Sequence, residues 1–101
     1  MAPWSHSRQP GAVALQAQAK QQQAAGDYSQ ATATLERALR IDAADPELWL
    51  ALAQIRLAQG EPAQAADLAH RSASLAPRDT QVHQRAIELQ RKAATASGRG
   101  H

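Results

Sequence analysis

The sequence contains no cysteine and no phenylalanine, and aromatic residues make up 3% of it. Without cysteine, this chain forms no disulfide and offers no thiolate to a metal. A β-sandwich is excluded as well. Packing two sheets needs many β-branched and aromatic side chains, and here there are two Val, three Ile, two Trp and one Tyr. An excess of one charge is also missing: 11 Lys and Arg stand against nine Asp and Glu, for a net charge of +2. No five basic residues occur in a row. The densest group, Arg85, Arg91 and Lys92, has Glu88 among it and reads as a solvated helix face, not a nucleic-acid footprint. No apolar run approaches the ~18 residues of a membrane-crossing helix. No h-region of a secretory signal is visible either.

What is present is alanine. Of the apolar residues, 25 are Ala and 19 are larger, ten of them Leu. A further 13 residues are Gln. Ala, Leu, Gln, Arg and Glu all have high helix propensity. The composition therefore predicts an all-α domain with a thin core and closely approaching helices. At roughly 25 cal/mol per Å² of buried apolar surface, each alanine contributes little. Stability should then lean on Trp49 and its Leu neighbours.

Glycine and proline punctuate the chain at a fixed interval. Gly26 and Gly60 lie 34 residues apart, as do Asp45 and Asp79, Gln30 and Gln64, and Arg37 and Arg71. Aligning 12–45 on 46–79 gives eight identities, including Ala17/Ala51, Ala19/Ala53, Ala24/Ala58 and Ala31/Ala65. Such a period is the signature of a repeat architecture. Each repeat divides at its glycine into two helix-like runs: 12–25 and 28–41, then 46–59 and 62–75. Gly26-Asp27 and Gly60-Glu61 supply turns, the glycine serving where φ is positive after a helix end. Pro62 suits a first helical turn, where its missing N–H costs nothing. Asp45-Pro46-Glu47 reads as a helix start, with a cap carboxylate and an acid near the positive dipole end. Pro77 closes the fourth helix, and Asp79-Thr80 opens a fifth over about 79–95. The predicted organisation is a linker or tether over 1–11, a helical domain over 12–95 and a disordered tail over 96–101.

These residues resemble the tetratricopeptide repeat (TPR) family. Its 34-residue helix-turn-helix pattern is matched in the second repeat by Trp49, Leu52, Ala53, Gly60, Ala65 and Pro77. The first repeat matches with Leu15, Ala19, Gly26, Tyr28, Ala31, Leu35 and Ala38. Departures fall at Gln18, Gln22 and Ala43, and at Arg56, Pro62, Ala69 and Ser72. The resemblance covers about 12–95 and implies an all-α tandem array of two repeats, four helices, with a C-terminal capping helix. Gly26, Tyr28, Trp49, Leu52, Gly60 and Pro77 are its structural positions here. Small residues at Ala19, Ala31, Ala53 and Ala65 let the helices of a hairpin approach. Leu35, Leu39, Trp49, Leu52 and Leu68 fill the spaces between. The third helix is apolar all round, which marks a central, buried helix. The first carries only Val13 and Leu15 beyond alanine. The fifth has Val82, Ala86, Ile87 and Leu89 on one face and polar residues on the other, as a terminal unit of a solenoid requires.

No catalytic or metal-binding constellation is apparent, and no cofactor is expected. Of the four histidines, His70 and His83 are thirteen apart, not at the i, i+4 spacing that aims two ligands from one helix face. His83 occupies the repeat position of Trp49 and Leu15 and is expected to pack on the preceding hairpin. His70 is expected at the surface. Asp27, Glu61, Asp45 and Asp79 serve turns and caps. The chain therefore reads as a protein-binding module, not an enzyme.

In this family the first helix of each hairpin lines a concave groove. The resemblance places Val13, Gln16, Lys20 and Gln23 there, then Glu47, Leu50, Gln54 and Leu57. The capping helix adds Gln81, Gln84, Glu88 and Arg91. The groove is amide-rich with one apolar stripe, Leu50 and Leu57. That stripe either meets a protein partner or is covered by the fifth helix as core. The convex residues Glu36, Arg37, Arg40, Asp67, His70 and Arg71 form the alternative face. The carboxylate clamp of chaperone-binding members is absent: Gln16, Lys20, Ala51 and Gln81 stand where Lys or Asn is needed, and only Arg85 matches. A peptide carboxylate would lack its charge-assisted bonds.

The Ala/Gln/Arg-rich style and the Pro/Gly/Ser-containing lead are similar to outer-membrane lipoproteins that activate a class A penicillin-binding protein in peptidoglycan synthesis. That resemblance implies a periplasmic domain tethered from its N-terminus, with the lipidated cysteine upstream of this chain. The alternatives are another envelope or secretion assembly factor, a cytosolic adaptor without a carboxylate clamp, or a domain that self-associates through Leu50 and Leu57.

Overall fold

The computed structural model describes residues 8–98. Most of the predicted linker, with His6, and the end of the predicted tail, with His101, lie outside the described residues. Five helices follow in order: α1 (Pro10–Ala24), α2 (Tyr28–Ile41), α3 (Pro46–Ala58), α4 (Pro62–Leu75) and α5 (Gln81–Gly98). No strand occurs among the described residues. The chain divides after Asp45 into two compact units. The first contains the α1–α2 hairpin. In the second, α4 packs on both α3 and α5, with a smaller α3–α5 contact.

Helices α1 and α5 differ in their boundaries from those read in the sequence. Helix α1 starts at Pro10, inside the predicted linker, with proline at its first position. There the ring presets φ and its missing N–H costs nothing. Helix α5 starts two residues after Asp79, because Thr80 is the residue that caps it. The Thr80 Oγ1 accepts from the His83 backbone N–H at 3.3 Å and donates to the Pro77 carbonyl at 2.6 Å. At its other end α5 runs through Ala96 and Ser97, part of the predicted tail, to Gly98.

The two hairpins turn in the same way. Gly26 has φ 80° and Gly60 has φ 77°, and among the described residues no other residue has positive φ. After α1, the Gly26 N–H donates to the Gln23 carbonyl and the Asp27 N–H to the Gln22 carbonyl, both at 2.9 Å. After α3, Gly60 bonds Leu57 at 3.1 Å and Glu61 bonds Arg56 at 2.9 Å. This is the paired 5→2 and 6→1 pattern that satisfies the last carbonyls of a helix. A Cβ on either glycine would meet nothing within 4 Å, so the backbone conformation alone demands glycine. The starts of the second helices differ. The Asp27 carboxylate accepts from the Gln30 N–H at 3.2 Å, whereas Glu61 makes no such bond and α4 relies on Pro62 at its start.

Alanine holds the positions of close approach: Ala19, Ala31, Ala53 and Ala65 are all buried. Among the described residues of the first unit, the buried apolar ones are Ala12, Ala19, Ala31, Leu35 and Ala38. In the second, α3 buries Leu48, Leu50, Leu52, Ala53 and Ile55 around its circumference, as its composition predicted. Each fully buried Leu or Ile is worth ~1.5–3 kcal/mol, so the larger share of apolar stabilisation lies in the second unit. Trp49 carries less of it than its size and position in the sequence suggest. It is only half-buried, and the Arg71 guanidinium lies over its ring at 4.7 Å from the centroid. A cation–π contact at such a site is worth ~0.5–1 kcal/mol.

Candidate protein-interaction surface

In the first unit, Lys20 is exposed and Gln16 and Gln23 are half-buried. Gln16 is already engaged, because its Oε1 accepts from the Arg8 guanidinium. Val13 is exposed. Gln22, a departure from the repeat pattern, serves the fold. Its Oε1 accepts from the Thr34 hydroxyl at 2.8 Å, and Thr34 is buried. The polar pair fills a place where the second repeat carries Arg56 and Leu68.

In the second unit, the structure decides between the two readings of the Leu50/Leu57 stripe for its first member. Leu50 is 2% exposed and clusters with Ala73 of α4 and Ala86 of α5, with Val82, Ile87 and Leu89 packed against them. As a groove residue open to a partner it is therefore corrected: it is core, covered by α5. Its burial follows from Ala86, whose small side chain lets α5 come down on α3 and α4. Leu57 remains half-buried, as do Glu47 and Gln54. On α5, Gln81, Gln84, Glu88 and Arg91 are exposed. At 100° per residue, Gln84, Glu88 and Arg91 fall about 140–200° from Ala86. That is the side away from Ala86 and Ala93, which are both fully buried. Their burial leaves the polar face of α5 free. Arg85, the single residue matching a carboxylate clamp, is exposed beside it. The convex residues Glu36, Arg37, Arg40, Asp67, His70 and Arg71 are exposed too.

His83 packs on the preceding hairpin, as its repeat position predicted. Its Nδ1 lies 2.8 Å from the Ala73 carbonyl and 3.1 Å from the Ala76 carbonyl. Two acceptors can share this nitrogen only if it carries the proton, so Nδ1–H donates to carbonyls left open at the end of α4. Ser72, where the repeat pattern has a small apolar residue, is fully buried and donates to the Pro46 carbonyl at 2.8 Å. Neither bond is readable from spacing, because each spans a helix-to-helix contact. Among the described residues, no group of His, Asp and Glu could hold a metal, and no helix is long and apolar enough to cross a membrane.

A family model described as tetratricopeptide repeat matches residues 22–92. The chain belongs to the tetratricopeptide repeat family. Its helix boundaries, its two positive-φ glycines and its buried alanines are the local features of that repeat. As a TPR domain, this chain is a protein-interaction module. Among solved structures, it is similar to the globular C-terminal domain of LpoP from P. aeruginosa, with 38% identity and a TM-score of 0.85. The likeness covers 91% of this chain and 87% of that one. No curated protein matches the sequence. The remaining structural positions fit the repeat as well. Leu52 is buried, Tyr28 is half-buried at the start of α2, and Pro77 follows Ala76, the residue that caps the end of α4.

Proposed function

We propose that this TPR domain is a periplasmic module, tethered from its N-terminal side, that binds a class A penicillin-binding protein and raises its peptidoglycan-synthesising activity. The observation that carries this reading is the likeness to the LpoP C-terminal domain over nine-tenths of the chain. It joins the compositional similarity to lipoproteins that activate such synthases. The surface chemistry is compatible. Gln16, Lys20 and Gln23 on α1, Glu47, Gln54 and Leu57 on α3, and Gln84, Glu88 and Arg91 on α5 offer amides that both donate and accept. Within each unit these residues offer a polar surface suited to a protein, and the second adds charges of both signs and one half-buried leucine. Gln16 contributes least, because Arg8 already holds it. Leu50 has no part in it.

The test is direct. The purified domain is titrated into a class A penicillin-binding protein, and glycan polymerisation and peptide cross-linking are followed. A saturable rise in either rate is the expected result. Absence of both binding and stimulation across the class A synthases of the source organism would sink the proposal. The TPR assignment would then stand with a different partner.

A further inference from the structure

Arg8 lies ahead of the first helix, in the stretch read from the sequence as linker. Its guanidinium nevertheless reaches into the fold. Nε–H donates to the Asp45 Oδ2 at 2.8 Å, and Nη2–H donates to the Gln16 Oε1. The Asp45 side chain is 0% exposed and that of Arg8 is 32% exposed. Asp45 closes the α2–α3 connection and is the last residue of the first unit. One side chain therefore ties the entry of the chain both to a connection 37 residues away and to the second turn of α1.

The chemistry of the pair explains why this tie should matter. A carboxylate withdrawn from water is costly unless it is met by charge and hydrogen bonds. The planar guanidinium supplies several donors in a fixed fork, which suits a carboxylate oxygen and an amide oxygen at once. A lysine at position 8 could bring the charge but not this fork. The exposed third of Arg8 leaves its side of the contact open to solvent and salt.

We propose that Arg8 is a clasp that fixes where the chain enters the domain. Closed, it pins the first turns of α1 to the 42–45 connection and keeps Gln16 occupied. Open, it lets both segments loosen together and frees Gln16. Tension applied from the N-terminal side is then borne by Asp45 inside the fold and not by the free end of α1. This inference does not depend on the identity of the partner.

Hydrogen exchange on the full chain tests it, with wild type compared with R8Q, R8K, D45N and R8Q/D45N. The decisive variant is R8Q, because it leaves Asp45 in place. Exchange at the backbone amides of 13–17 and 42–45 should rise together, by about tenfold or more, while α4 stays protected. R8K should recover part of that protection, and high salt should move wild type toward R8Q. The double variant should exceed the larger single effect by little, as expected of one interaction counted twice. Wild-type protection of both segments in R8Q would overturn the clasp. So would loosening confined to the first turn of α1, or additive effects of R8Q and D45N.

Discussion

Among the described residues of the first unit, Leu35 is the one large apolar side chain that is fully buried, whereas the second buries Leu48 and Ile55 completely and Leu50 almost so. The contrast continues at the turn of each hairpin. Where the second repeat carries Arg56 and Leu68, the first joins Gln22 to Thr34 by a hydrogen bond. Yet the glycine turns match in their bonding, φ for φ and carbonyl for carbonyl. The repeat thus keeps one backbone geometry in its two copies and lets the filling vary. Chain reversal depends on a few backbone hydrogen bonds that any sequence with glycine in place can make. Core content depends on how many large side chains each unit buries. The first unit, with less apolar burial, supplements it with polar ties: Gln22 to Thr34, Asp27 to the start of α2, and Arg8 to Asp45.

The largest expected effect lies in the richer unit. Leu50→Ala should destabilise the domain by ~2–5 kcal/mol in urea unfolding followed by circular dichroism. Leu57→Ala, at a half-buried site on the same helix, should cost about 1 kcal/mol. Equal losses would mean that α5 does not distinguish the two leucines. Leu50→Asp should abolish folding, not merely partner binding, since it would place a charge in the core.

Next come the turns, where the two units should behave alike. Gly26→Ala and Gly60→Ala should each cost ~1–2 kcal/mol, because the left-handed conformation strains any residue with a Cβ. Matched losses in thermal unfolding support the equivalence of the hairpins. A tolerant site in one of them would break it.

The smallest effect separates the hairpins again. Asp27→Ala should cost about 1 kcal/mol or less through loss of the α2 cap. Glu61→Ala should cost close to nothing, because α4 has no such bond to lose. A cost at Glu61 equal to that at Asp27 would show that α4 is capped after all.

Much of the fold was legible because a repeat writes its own punctuation. Gly26, Gly60, Pro46 and Pro62 marked helix ends within a residue or so, and the alanines at 19, 31, 53 and 65 marked the buried crossings. What stayed illegible was mostly chemical and long-range. Nothing near Arg8 in sequence reveals that its partner is 37 residues away. Thr80 displaced Asp79 as the cap because a hydroxyl could bond both Pro77 and His83, a choice that local preference alone does not make. Pro10 looked like linker because proline reads as a breaker, although it suits a helix start equally well. On the candidate surface, the family resemblance placed Gln84, Glu88 and Arg91 together, and all three are exposed. It could not say whether Leu50 was covered, since that depends on how closely Ala86 lets α5 approach.

Those α5 residues offer the most direct test of the account, which assigns apolar burial to folding and the polar faces to a partner. One chain carrying Gln84→Ala, Glu88→Ala and Arg91→Ala is compared with wild type for binding to a class A penicillin-binding protein and for thermal stability. The account predicts a loss of affinity of about tenfold or more, with stability changed by no more than ~0.5 kcal/mol per site. Unchanged affinity in a domain as stable as wild type would contradict it.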